Sequence, residues 1–85
     1  MSTHDLLHTR QTTHGDFTDN ARNGQALREF FRSSPRWTEM DPIHREALDM
    51  IAGKLSRILS GQSKFHDHWA DVGGYAELAR KACDE

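Results

Sequence analysis

Residues 67–78 read DHWADVGGYAEL. Asp67 and Asp71 stand four apart, Tyr75 follows four later, and Gly73-Gly74 lies between them. Carboxylates gathered on one face are what a hard cation such as Mg²⁺ requires. The glycines have the opposite local effect, since each costs about 0.5–1 kcal/mol in a helix relative to alanine. Like charges at i and i+4 are also mildly unfavourable. A helix serving only as scaffold gains nothing from either feature. A second acidic pair, Glu46 and Asp49, occurs in REALDMIAGKLSRILSG, followed by Lys54 and Arg57.

At about 100° per residue, Glu46, Asp49, Gly53 and Arg57 share one stripe beside an apolar arc, and Lys54 falls inside that arc. A lysine so placed must snorkel, pair with an acid or meet an anionic ligand. Two readings of the stripe stand side by side. In one, Glu46 and Asp49 pair with Arg45, Arg57 or Lys54 as a solvated face. In the other, Gly53 clears space for a ligand. On the following helix, Asp67, Asp71 and Gly74 lie together, with His68 and Tyr75 between them and the core stripe. If the two helices form an antiparallel hairpin, Glu46, Asp49, Asp67 and Asp71 could converge as a Mg²⁺ site. Lys54, Arg57 and Tyr75, with Asp71 and the loop residue His14, are the candidate ligand-binding residues, and Arg22 and Trp37 are further ones. The alternative for Gly73-Gly74 is close helix packing, with both aspartates in solvent.

Other chemistry is weaker. His66 and His68, two apart, point to different sides of a helix and make a poor metal pair. Cys83 has no evident base beside it and reads as core or inert. No Ser-His-Asp set, phosphate-binding P-loop or dinucleotide fingerprint is present.

The elements that must position these residues are helical. DPIHREALDMIAGKLSRILSG has Asp41 as a natural N-cap, Pro42 at the first helical position and Gly61 after the end. Ile43, Ala47, Met50, Ile51, Leu55, Ile58 and Leu59 supply its amphipathic face. A first helix is expected at about 18–32, capped by Asp16 or Thr18, with Ala21, Leu27, Phe30 and Phe31 inward. SSPRWTEM is a linker in which Trp37 is expected to plug the core edge. A third helix is expected at about 64–82, with Ser63 as cap and Phe65, Trp69, Val72, Ala76, Ala79 and Cys83 as its core stripe. No segment alternates as a strand. The expectation is an all-α bundle of three main helices (about 18–32, 42–60 and 64–82) in a single domain. Residues 1–15 form a partly flexible segment in which DLLHTRQ has room for a short helix.

Composition sets limits on partners. The 85 residues are 35% hydrophobic and 28% charged, with a mean hydropathy of −0.82. A domain this small buries only roughly 60% of its unfolded surface. Its single cysteine forms neither an intramolecular disulfide nor a CxxC zinc pair, so completion of the core by homo-oligomerisation is expected. A net charge of −2 with no basic run argues against duplex nucleic acid. No apolar segment approaches a signal or membrane span, so a reducing cytoplasm is the expected compartment.

Two resemblances enter at these motifs. HGDF, ALDMIAGKLSRILSG and DHWADVGGYAEL, in that order, resemble a family of small phage- and prophage-encoded proteins classed as a domain of unknown function. That family shows HGD, then ALDMI-x-x-K-x-x-R-I-L, then D-x-W-x-D-(I/V)-x-G-Y-A. It implies a phage origin, and hence an infected or lysogenic bacterial host, but no activity. More distantly, Glu46-Ala-Leu-Asp49 and WADVGGYAELA are similar to the MazG-like all-α nucleoside triphosphate pyrophosphohydrolases. This likeness implies Glu46, Asp49 and Asp71 as Mg²⁺ ligands, Lys54 or Arg57 as phosphate partners, and an oligomer. The chain departs from that pattern at His68, where an acid is expected, with Asp67 one residue away. Three functions follow as expectations. The first is a binding protein that sequesters a nucleotide or cyclic-nucleotide immune signal. The second is a Mg²⁺-dependent pyrophosphohydrolase. The third is a protein-binding inhibitor of a host defence factor.

Overall fold

The computed structural model describes residues 16–61 and 63–84. Three α-helices and one 3-10 turn account for nearly all of them: α1 (Phe17–Ser33), the 3-10 turn Trp37–Glu39, α2 (Pro42–Ser60) and α3 (His66–Ala82). No strand occurs among the described residues. The expected N-terminal turns in DLLHTRQ, and His14, lie outside them.

Local signals explain where each helix begins. Asp16 caps α1, its carboxylate accepting from the Thr18 N–H at 2.7 Å. Pro42 opens α2, and Gly61 takes the residue after its end. Asp41 holds the N-cap position through its backbone carbonyl, which accepts from the N–H groups of His44 and Arg45; its side chain makes no capping bond. The start of α3 differs from expectation. Phe65, not Ser63, occupies its N-cap position, without a side-chain capping bond. The Ser63 carbonyl instead accepts from the indole N–H of Trp69 at 2.8 Å.

Helix α2 is the central element, packed by α1 on one side and α3 on the other. Against α1 the approach is close at Gly24, which is buried. A side chain at Gly24 would meet the Ser56 hydroxyl at 3.5 Å and the Arg28 guanidinium at 3.1 Å. Ser56, only 2% exposed, donates to the Gly53 carbonyl at 2.7 Å and also meets the Asn20 side chain. Arg28 donates to the backbone carbonyl of Asp49. Small residues and cross-helix hydrogen bonds thus replace large apolar side chains along this seam.

Among the described residues the buried apolar side chains are Trp37, Ala47, Ala52 and Ile58. Trp37 plugs the core edge, its ring stacked on Phe31 at 5.9 Å with the Arg32 guanidinium 4.9 Å from its centroid. The inward face of α3 is rotated from the expected stripe. Phe65, His68, Val72, Tyr75, Ala79 and Ala82 are buried or half-buried, whereas Trp69, Ala76 and Cys83 are exposed. Phe30, Ala21 and Leu59, also expected inside, are exposed too. Trp69 tolerates this position because its hydrogen bond to Ser63 folds the indole back over the turn before α3. Cys83 lies near His44, whose Nε2 is 3.5 Å from the sulfur, but that nitrogen donates to the Ala79 carbonyl at 2.9 Å and so offers the thiol no base.

Candidate functional site

The antiparallel pairing of α2 and α3 brings Lys54 and Asp71 together at 2.9 Å. Lys54, 17% exposed at its side chain, reaches out of the apolar arc to a carboxylate that is 48% exposed. The hydrogen bond from Lys54, followed by its charge, holds the Asp71 carboxyl below its ordinary value of 3.8. Desolvation opposes this, and the charges of His68 and Arg57 reinforce it. Because the folded-state value lies below the unfolded one, this carboxylate adds stability above pH 3.8 and loses it as pH falls through the lower folded-state value. Asp71→Asn is therefore expected to destabilise the chain at pH 7 and to flatten the acid limb of its melting-temperature profile below about pH 4. Parallel acid limbs for the two proteins, followed by circular dichroism, would contradict the pairing.

One helical turn away, the same two helices form an apolar groove. Ile43, Ala47 and Met50 from α2 meet Tyr75, Leu78 and Ala79 from α3 around a cavity of about 370 Å³, with Glu46 and Lys81 at its margin. Ile43 and Met50 were expected in the core but are partly exposed here, as is Leu78. The sequence carried a signal for this: both sit at the edge of the apolar arc, beside Glu46 and Arg57. Arg57, half-buried on the same side of α2, makes no ion pair among the described residues. A flat apolar recess is thus followed along the helices by a lysine and an arginine.

The four candidate metal ligands do not come together in the chain. Asp49 turns toward α1, where Arg32 forks its carboxylate at 2.7 and 3.1 Å. This hydrogen bond and charge raise the Arg32 pKa. Asp71 is held by Lys54 on the opposite flank of α2. Asp67 is exposed beside His66, at 3.2 Å, and Glu46 is exposed at the groove margin. Among the described residues no three His, Cys, Asp or Glu side chains are placed to hold a metal. His68, standing where the MazG-like pattern has an acid, is 2% exposed and packs edge-on against Phe65 at 4.7 Å. The residues of one chain therefore do not fit the Mg²⁺ centre that the resemblance implies.

The further candidates are engaged elsewhere. Trp37 is buried against Phe31 and Arg32, and Arg22 pairs with Asp19 at 3.2 Å.

Gly73 and Gly74 give an unexpected result. A side chain built at either would meet nothing within 4 Å. Close packing among the described residues therefore does not account for them. Gly73→Ala and Gly74→Ala are expected to stabilise α3 by about 0.5–1 kcal/mol each, measured by urea unfolding. A loss of stability would show that this surface is covered in the protein as it exists in solution.

Comparison with known protein families, with curated proteins and with solved structures found no match to this chain. Among the described residues, no helix is long and apolar enough to cross a membrane.

Proposed function

We propose that this chain binds a nucleotide-type phosphate ligand on the α2–α3 face and holds it without turnover. The observation that carries this reading is the apolar groove lined by Met50 and Tyr75, with the Lys54–Asp71 pair one helical turn beyond it on the same two helices. The groove accepts a base or other flat group against Tyr75 and Met50. Arg57 meets the phosphate first, because no carboxylate of the described residues holds it in an ion pair, and Lys54 exchanges Asp71 for a phosphate oxygen. Asp71 then acts as the resting partner that keeps Lys54 extended into the site.

Sequestration suits this arrangement better than hydrolysis, because Asp49 and Asp71 are both committed to cations of the same chain and lie on different flanks of α2. In the phage setting suggested by the HGD and D-x-W-x-D motifs, a small binder of this kind would serve as a sponge for a nucleotide immune signal. A second reading, a protein-binding inhibitor of a host defence factor, is favoured by the exposed Phe30, Leu59 and Trp69.

A thermal-shift panel of nucleoside triphosphates and cyclic di- and trinucleotides, with and without Mg²⁺, separates these readings. Stabilisation by a nucleotide recovered intact by chromatography is the expected result. Appearance of monophosphate and pyrophosphate would make the protein a pyrophosphohydrolase. No shift across the panel would remove the nucleotide reading and favour the protein partner.

A further inference from the structure

Helix α3 leaves one of its faces uncovered. At about 100° per residue, Asp67, Ala70, Gly74, Leu78 and Lys81 fall within about 80° of one another, and all five are exposed. Leu78 is 57% exposed, and a side chain at Gly74 would meet nothing within 4 Å among the described residues. We propose that this face is an interface between two copies of the chain, with α3 packed antiparallel on α3 of the second copy about a twofold axis at Gly74.

The order of the residues carries the argument. α3 runs from His66 to Ala82, and Gly74 is its midpoint. Ala70 and Leu78 stand four residues to either side of Gly74, and Asp67 and Lys81 stand seven to either side. A face with this symmetry is its own complement after a half-turn. Leu78 then lies over the partner's Ala70, and Lys81 over the partner's Asp67, each contact being made twice. The charges involved are those left over within the chain. Asp71 is held by Lys54, and Glu77 by Arg80. Lys81 makes no ion pair among the described residues, and Asp67 meets only the exposed His66 of its own turn. Antiparallel pairing gives both a partner of opposite sign, whereas parallel pairing would set like charges together. Ala70 and Gly74, small at the seam, let the two backbones reach the 8–10 Å usual between packed helix axes.

The size of the seam sets its strength. A helix of 17 residues is about 25 Å long, so two side by side bury on the order of 1,000 Å² in total, the low end for a specific interface. The dimer therefore forms reversibly, with a Kd on the order of 100 μM. The seam meets the α2–α3 groove only at Leu78 and Lys81. It does not rest on the nucleotide reading, and it is measured with no ligand present.

The test is sedimentation velocity of the full chain at low salt, up to millimolar concentration. The expected result is a monomer–dimer equilibrium that weakens as salt is raised. Asp67→Lys or Lys81→Asp alone sets like charges together at both ends of the seam and is expected to raise Kd roughly tenfold. Both changes in one chain restore opposite pairs and are expected to return Kd to within about threefold of the parent. The double variant carries both penalties to α3 itself, so its recovery cannot come from better folding, and far-ultraviolet circular dichroism checks that every variant is helical. Gly74→Ala puts a methyl on the axis and is expected to weaken the dimer, while Gly73→Ala, about 100° away from it, leaves the dimer unchanged. In dilute solution the single chain prevails, and there either alanine only stabilises α3. A chain that stays monomeric at millimolar concentration, leaving this face to a different protein, would overturn the proposal. So would a dimer indifferent to the single reversals, a double reversal that restores nothing, or two alanine variants that dimerise alike.

Discussion

Replacing Trp37 by alanine is expected to lower the melting temperature by more than about 12 °C, whereas the same replacement at Trp69 is expected to move it by only a few degrees. The two tryptophans differ in what surrounds them. Trp37 is 8% exposed and Trp69 is 53% exposed. Among the described residues Trp37 is also the one large aromatic of the four buried hydrophobic side chains, the others being two alanines and an isoleucine. Truncating a buried tryptophan costs about 3–5 kcal/mol through lost transfer energy and the cavity left behind. In this chain it also removes the stack on Phe31 and the ring beside Arg32, loosening the join between α1 and the start of α2. Total stability in a domain of this size is typically about 5–15 kcal/mol, so Trp37→Ala leaves little reserve. Thermal unfolding of both variants, followed by helical circular dichroism, provides the comparison. Equal effects at the two positions would show that the linker tryptophan does not complete the core.

Lys54→Met is expected to raise the melting temperature while weakening phosphate-ligand affinity at least roughly tenfold, the loss of one charge-assisted contact. The two effects have separate causes. Lys54 emerges from an apolar arc, so methionine fills its stem volume and removes the desolvation cost of the ammonium. Asp71, half-exposed, is then free to be hydrated. Asp71→Asn acts in the other direction because it strands the less exposed member of the pair. Calorimetric titration with the best-stabilising nucleotide, alongside unfolding of each variant, measures both effects. A Lys54→Met protein that melts lower and binds as tightly as the parent would make the pair purely structural.

The boundaries of α1 and α2 were legible because their signals are local, whereas α3 starts at His66 without a side-chain cap to announce it. Asp41-Pro42 and Gly61 bracket α2 in the sequence as they do in the structure, and Asp16 marks the start of α1. The facing of α3 was not. Reading by hydrophobicity puts Trp69 inside and counts His68 as polar, yet the observed inward set rotates toward His68 and Tyr75. The partner helix decides this, since only that rotation brings Asp71 to Lys54 while Trp69 satisfies its indole N–H outside, on Ser63. The acidic groups show the same limit. Glu46 and Asp49 share a stripe on α2, but Arg32, from another helix and 17 residues earlier, captures Asp49. Arg45 appeared in the sequence only as one possible ion-pair partner of those acids. Its Nε is buried without a hydrogen-bond partner among the described residues, a consequence of tertiary packing that no spacing announces.

The most direct test of the binding account is an NMR titration of the full chain, labelled at methionine methyl, aromatic-ring and arginine Nε positions, with ATP and with a cyclic dinucleotide. The account predicts that Met50, Tyr75 and Arg57 shift together and saturate with one of these probes, while Trp69 and Phe30 remain still. Resonances at the α2–α3 groove that stay unmoved at millimolar concentrations of both probes would contradict it.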